Sequence, residues 1–127
     1  MNVNDQILQM LGKILDIKDD LQAVALMDQD GTVLAQTENW DLRADSRGFV
    51  NAWKNGGGST TILGIKYHIV ENTPERLIGT NVTGGKGHVI GVSAGNAKIA
   101  VFLNPTIGPT EVLNDIYLEA QRIGNFL

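Results

Sequence analysis

The 127-residue chain predicts an α+β fold, a central antiparallel sheet flanked by helices. Three observations carry that prediction. Both ends hold segments whose apolar residues recur at the helical period. Between them lie short apolar runs, separated by turns rich in Gly, Asn and Pro. Those turns are far shorter than the dozen or so residues that a parallel crossover needs, so neighbouring strands must run antiparallel.

Residues 4–17 read as the first helix: Ile7, Leu8, Leu11, Ile14 and Leu15 form one stripe, and Asn4 is placed to cap it. The run "LQAVALM" (21–27) has strand length. "DQDG" supplies turn chemistry at Asp30-Gly31, and "TVLAQT" (32–37) returns as the second arm of a hairpin. The polar stretch 38–46 reads as a loop ending at Ser46, a cap for the short helix "RGFVNAWKN", which three glycines at 56–58 stop. Strands follow near 59–63, 65–71, 76–82, 88–93 and 97–103, broken at Gly64, Asn72–Pro74, Gly84–Gly87 and Gly95–Asn96. After "NPTIGP" a second amphipathic helix closes the chain on a stripe of Leu113, Ile116, Ala120, Ile123 and Leu127.

Composition narrows the function. The length suits one domain, and 43% hydrophobic residues suffice for a core. A net charge of −4, with Lys and Arg scattered, argues against a sequence-independent nucleic-acid binder. No cysteine is present, which removes disulfides, thiolate metal sites and cysteine nucleophiles. The start "MNVNDQILQM" lacks the basic-then-apolar pattern of a signal peptide, and no apolar run is long enough for a membrane span, so a cytoplasmic protein is expected.

The stretch "TGGKG" (83–87) resembles a piece of a phosphate-binding loop. Lys86 is followed by Gly87 in place of Ser or Thr, however, and by the strand-forming "HVIGV" in place of a helix; a turn is expected. Asp28 and Asp30 match the first spacings of a calcium loop, but the later ligands are missing. His68 and His88 lack nearby carboxylates at metal-ligand spacing and read as surface strand residues. No nucleophile elbow or acid pair appears. The chain therefore reads as a binding module, not an enzyme, with no cofactor. Lys66 and His68 share the strand face opposite Ile65, Tyr67 and Ile69. His88 shares a face with Ile90 and Val92. Asn114, Asp115 and Leu118 lie opposite the stripe of the last helix.

These segments together carry a family likeness. "AVALMDQDGTVLAQT", "ILGIKYHIV", the glycine-rich "TGGKG" and "NP" before the last helix stand in the order and spacing of profilin, and the chain resembles that family along nearly its whole length. Its divergence from plant and animal members points to an archaeal relative. The resemblance implies terminal helices packed on one face of the sheet and smaller helices on the other. It also implies a complex with monomeric actin or an actin homologue that controls filament assembly and nucleotide exchange on actin. Carried over by position, the implied contacts are Lys66, His68, Glu71, Asn81, Lys86, His88, Asn114 and Leu118. Glu71 and Gly79 stand where family members often carry cations, which bears on partner choice.

Two other family properties find less support in the residues. Proline-rich peptides pack on aromatic rings between the terminal helices. The first helix has no aromatic residue, Leu34 replaces a tryptophan, and the chain ends in Phe126–Leu127; such binding is lost or moved, for instance to the surroundings of Trp40. Phosphoinositide binding calls for clustered Lys and Arg, and no such cluster is visible. A Roadblock-type dimeric platform for small GTPases, which shares the first helix, a similar hairpin and the last helix, is the alternative reading. A ligand sensor with a pocket inside the sheet is a third, without the polar pocket residues it needs.

Overall fold

The computed structural model describes residues 3–83 and 85–127. Seven strands form one sheet: β1 (Leu21–Met27), β2 (Val33–Gln36), β3 (Ser59–Ile62), β4 (Ile65–Asn72), β5 (Arg76–Thr80), β6 (His88–Ala94) and β7 (Ala97–Leu103). Their order is β2-β1-β7-β6-β5-β4-β3, with every neighbouring pair antiparallel. Three helices complete the chain: α1 (Val3–Leu15), α2 (Ser46–Lys54) and α3 (Leu113–Phe126), the last preceded by a 3-10 turn at Pro109–Glu111.

Strand alternation divides the apolar residues between two cores. On one face α1 and α3 bury Ile7, Leu11, Ile14, Ile116, Ala120 and Ile123 against Val24, Ile90, Val92, Ile99 and Val101. On the other, α2 brings Phe49, Val50 and Trp53 onto Ala23, Ala25, Tyr67, Val89 and Ala100. The implied arrangement, terminal helices on one face and a smaller helix on the other, is the one observed. The terminal helices pack over β1 and β6, whereas α2 packs against β3. On the α1/α3 face the sheet is thus left bare toward its β3 edge.

Several local expectations need correction. Asn4 lies inside α1 and does not cap it. Ser46 is the first helical residue of α2, behind Asp45; its buried Oγ donates to the Gly31 carbonyl, a bond across fifteen positions of sequence that local capping rules do not foresee. Leu127 follows the end of α3 and is 56% exposed, so the buried stripe stops at Ile123. Trp40 offers no surface for a peptide: it is 5% exposed and its ring lies 5.9 Å from that of Phe102.

The Asp30-Gly31 hairpin is present, and Asp28 anchors it. Asp28 Oδ1 accepts from the backbone N–H groups of Asp30 and Thr32, both at 2.9 Å. These bonds, led by that of Thr32, hold the Asp28 carboxyl below its usual range. The carboxylate serves a turn rather than a calcium ion, and among the described residues no three His, Cys, Asp or Glu side chains are grouped to hold a metal. No described helix is long and apolar enough to cross a membrane.

Candidate functional site

The bare part of the sheet carries a polar row. Register pairs Ser59 with His68, His68 with Thr80, and Thr80 with His88, so four residues from β3, β4, β5 and β6 stand side by side on the α1/α3 face. Thr61 pairs with Lys66 next to them. Lys66 and His68 are exposed, while Tyr67 between them is buried in the α2 core, as strand alternation requires. Thr80 Oγ1 lies 3.1 Å from His88 Nδ1. Burial pushes the His88 imidazole below its usual range, so it is neutral at pH 7.

Asn81 fastens this row to the following turn. Its Nδ2 donates to the Lys66 carbonyl at 2.9 Å, its Oδ1 accepts from the Lys86 N–H at 3.2 Å, and its backbone N–H donates to the Gly87 carbonyl at 3.0 Å. Lys86 is thereby presented to solvent beside the row. Of "TGGKG", Gly84 lies outside the described residues. The residues after it lead straight into β6, which is the context of a turn and not of a phosphate loop.

Farther along β4 a bulge at Val70 shifts the register, so that Glu71 pairs with Ile78 on the α1/α3 face. Arg76 Nε lies 3.0 Å from Glu71 Oε2. The two charges are paired, although this oxygen is shielded from solvent and accepts no hydrogen bond of good angle. Glu71, Arg76, Asn114 and Tyr117 border a cleft of about 430 Å³ between the sheet and the start of α3. Gln121 Nε2 donates to the Ser93 carbonyl at 3.0 Å, which fixes α3 to β6. Leu118 is 52% exposed, one turn beyond Asn114.

The structure therefore brings Lys66, His68, Asn81, Lys86 and His88 together at one end of the bare sheet, and Glu71 with Asn114 around the cleft; Leu118 does not line that cleft and is exposed one turn farther along α3. Sequence reasoning passed over Thr80, Arg76 and Tyr117. Period-2 alternation along β5 puts Arg76, Ile78 and Thr80 on one face, and Tyr117 follows Asn114 by three positions on α3, so both signals were available. By contrast, the cleft of about 450 Å³ beside the end of α3 is bordered by Leu34, Ala97, Gly124 and Leu127, without an aromatic ring.

A curled antiparallel sheet with both terminal helices on one face, and a solvent-facing polar strip beside them, defines a small binding module. No family model matches the chain. Among curated proteins it is 34% identical to Loki profilin-1 of Lokiarchaeum sp. (strain GC14_75) over 135 residues, covering 98% of this chain and 100% of the relative. Loki profilin-2 of the same organism is 36% identical over 137 residues with the same coverage. Odin profilin of Odinarchaeota yellowstonii (strain LCB_4) is 35% identical over 98 residues, covering 76% and 78% of the two chains. The chain belongs to the profilin family. Solved structures agree. The profilin in a LokiProfilin2/rabbit actin complex matches with a TM-score of 0.87 at 34% identity over all of both chains. Acanthamoeba castellanii profilin IB matches with a TM-score of 0.76 at 19% identity over 94% of this chain and 98% of its own, a likeness of fold. The Roadblock-type alternative finds no support in these comparisons.

Proposed function

We propose that the protein is a non-enzymatic binder of monomeric actin, or of an actin homologue, that regulates filament assembly and nucleotide exchange on actin in the cytoplasm. The observation that carries this reading is the full-length match to a profilin solved together with rabbit actin. The proposed surface is the polar row of β4, β5 and β6 with the start of α3: Lys66, His68, Glu71, Asn81, Lys86, His88, Asn114 and Leu118, joined by Thr80, Arg76 and Tyr117. Supporting it, the strand residues among them lie on the part of the sheet that the terminal helices leave uncovered, with Asn81 and Lys86 in the adjoining turn and Asn114, Tyr117 and Leu118 on α3 beside it. The mixed charge suits a partner with complementary patches, and Glu71 and Glu75 against Lys66 and Lys86 set a polarity along the surface.

The test is calorimetry with monomeric actin from a related archaeon. Wild type should bind at about micromolar Kd. Lys66→Glu should weaken binding about tenfold, chiefly by slowing association, with the thermal midpoint unchanged. Absence of heat, together with unaltered assembly kinetics, would end the actin reading. An unchanged affinity for Lys66→Glu would end the surface assignment alone.

A further inference from the structure

On the opposite side of the sheet a third cleft, of about 640 Å³, opens between the end of α2 and the bulged part of β4. Two lysines line it. Lys54 is the last residue of α2, and Lys98 rises from β7 with its Nζ 4.1 Å from the centre of the Trp53 ring. Neither ammonium lies within 4.0 Å of a carboxylate among the described residues. Glu71, at the rim, already faces Arg76. The two cations instead oppose each other: desolvation, then the charge of Lys54, lowers the Lys98 ammonium from its usual range. The Trp53 ring offsets part of the Lys98 charge, and an anion entering the cleft would meet both ammonium groups.

The other walls suit an organic body. Ile69, Val70 and Pro74 supply apolar surface, while the buried Trp53 ring lies beneath Lys98. Gly56 and Gly58 leave open space where side chains would stand. Carbonyls at the end of α2, which would repel an anion, are occupied: Asn51 O by the Asn55 N–H, Ala52 O by the Gly57 N–H, and Trp53 O by Asn72 Nδ2. Trp53 is itself fixed, its Nε1 donating to the Thr73 carbonyl at 2.6 Å. A single carboxylate would neutralise one lysine. A phosphate monoester, with a charge of about −1.5 to −2 at neutral pH, answers both.

We propose that this cleft is a binding site for a small soluble phosphate monoester, its phosphate held by Lys54 and Lys98 and its organic part lying on the Ile69–Val70–Pro74 wall. The site opens on the α2 side of the sheet and shares with the proposed actin surface only Glu71, at its rim; its test uses no actin and is independent of that reading.

Phenyl phosphate is titrated into the full chain while the Trp53 indole N–H is followed by NMR, with inorganic phosphate and phenol in parallel. Phenyl phosphate should shift that resonance saturably, with a Kd of about millimolar or tighter, and more tightly than either fragment. Lys54→Gln and Lys98→Gln should each weaken it about tenfold. Lys54 is exposed, so its substitution keeps the test valid even where loss of Lys98 disturbs the Trp53 contact. No saturable shift, or a shift that survives Lys54→Gln, overturns the proposal. So does binding to vesicles of phosphorylated lipid with phenyl phosphate silent.

Discussion

Substituting Gly87 by alanine tests how the turn between β5 and β6 holds the candidate surface in place. Gly87 has φ +106°, outside the range that L side chains adopt readily. A Cβ built there would sit far inside van der Waals contact of the Leu103 carbonyl oxygen and 3.2 Å from Phe102 Cε1. The carbonyl belongs to the paired strand β7 and cannot move aside. Backbone strain of about 1–2 kcal/mol and an overpacking cost of about 1–3 kcal/mol give a loss of about 2–5 kcal/mol. At about 4 °C per kcal/mol for a chain of this size, the melting midpoint should fall by about 8–20 °C. Gly85→Ala is the control. Its φ is +60°, but a Cβ there meets nothing within 4 Å, so it carries only the backbone cost of about 1 kcal/mol and a drop of about 4 °C. Thermal melts by circular dichroism of both variants decide the matter. If Gly87→Ala melts with Gly85→Ala, the close approach to β7 does not constrain the turn and the reasoning fails. If it holds, the Asn81–Gly87 bond and the position of Lys86 should suffer as well, and actin affinity should drop further than the Lys66→Glu substitution alone achieves.

Ser46→Ala removes the buried Oγ donor from the Gly31 carbonyl and should cost about 1–3 kcal/mol in denaturant melts; a change within about 0.5 kcal/mol would mean that the bond adds nothing. His88 predicts a pH dependence. Its imidazole is lowered from 6.5 in the fold, so the unfolded chain takes up a proton first: the stability is complete above pH 6.5 and is lost as pH falls toward the lowered folded value. The difference in unfolding midpoint between wild type and His88→Gln should therefore shrink or reverse between pH 7 and about 5, and a flat difference contradicts the assignment.

Much of this architecture is legible in the amino-acid order because it rests on local signals. The strands at 21–27 and 97–103 are found where the apolar runs stand, and the hairpin at Asp30-Gly31 follows from turn chemistry. The stripe Leu113, Ile116, Ala120, Ile123 predicts the buried side of α3, and hence that Asn114 and Leu118 face outward. What escapes such reading depends on distant partners. Ser46 looks like a cap until Gly31 is folded against it, and Trp40 looks available until Phe102 lies beside it. The cleft lysines Lys54 and Lys98 are forty-four positions apart by number, and only the sheet order brings β7 under the end of α2.

Glu71 shows the same limit at the site itself. Strict alternation along β4 puts residues 65, 67, 69 and 71 on the α2 face, with Lys66 and His68 opposite; by that rule Glu71 would enter the core of Tyr67 and Ile69. A carboxylate there would stand beside the apolar Tyr67 and Ile69, out of reach of Arg76. The bulge at Val70 resolves the conflict by inserting one unpaired residue, so that Glu71 turns to Ile78 and reaches Arg76 on the other face. Val70 is left 65% exposed at the bend. The bulge thus lets one strand carry Lys66, His68 and Glu71 on a single surface while still returning Asn72 to the α2 side, where its Nδ2 bonds the Trp53 carbonyl. Charge on the candidate surface and packing beneath α2 are therefore set by the same irregularity, and deleting Val70 should break both together.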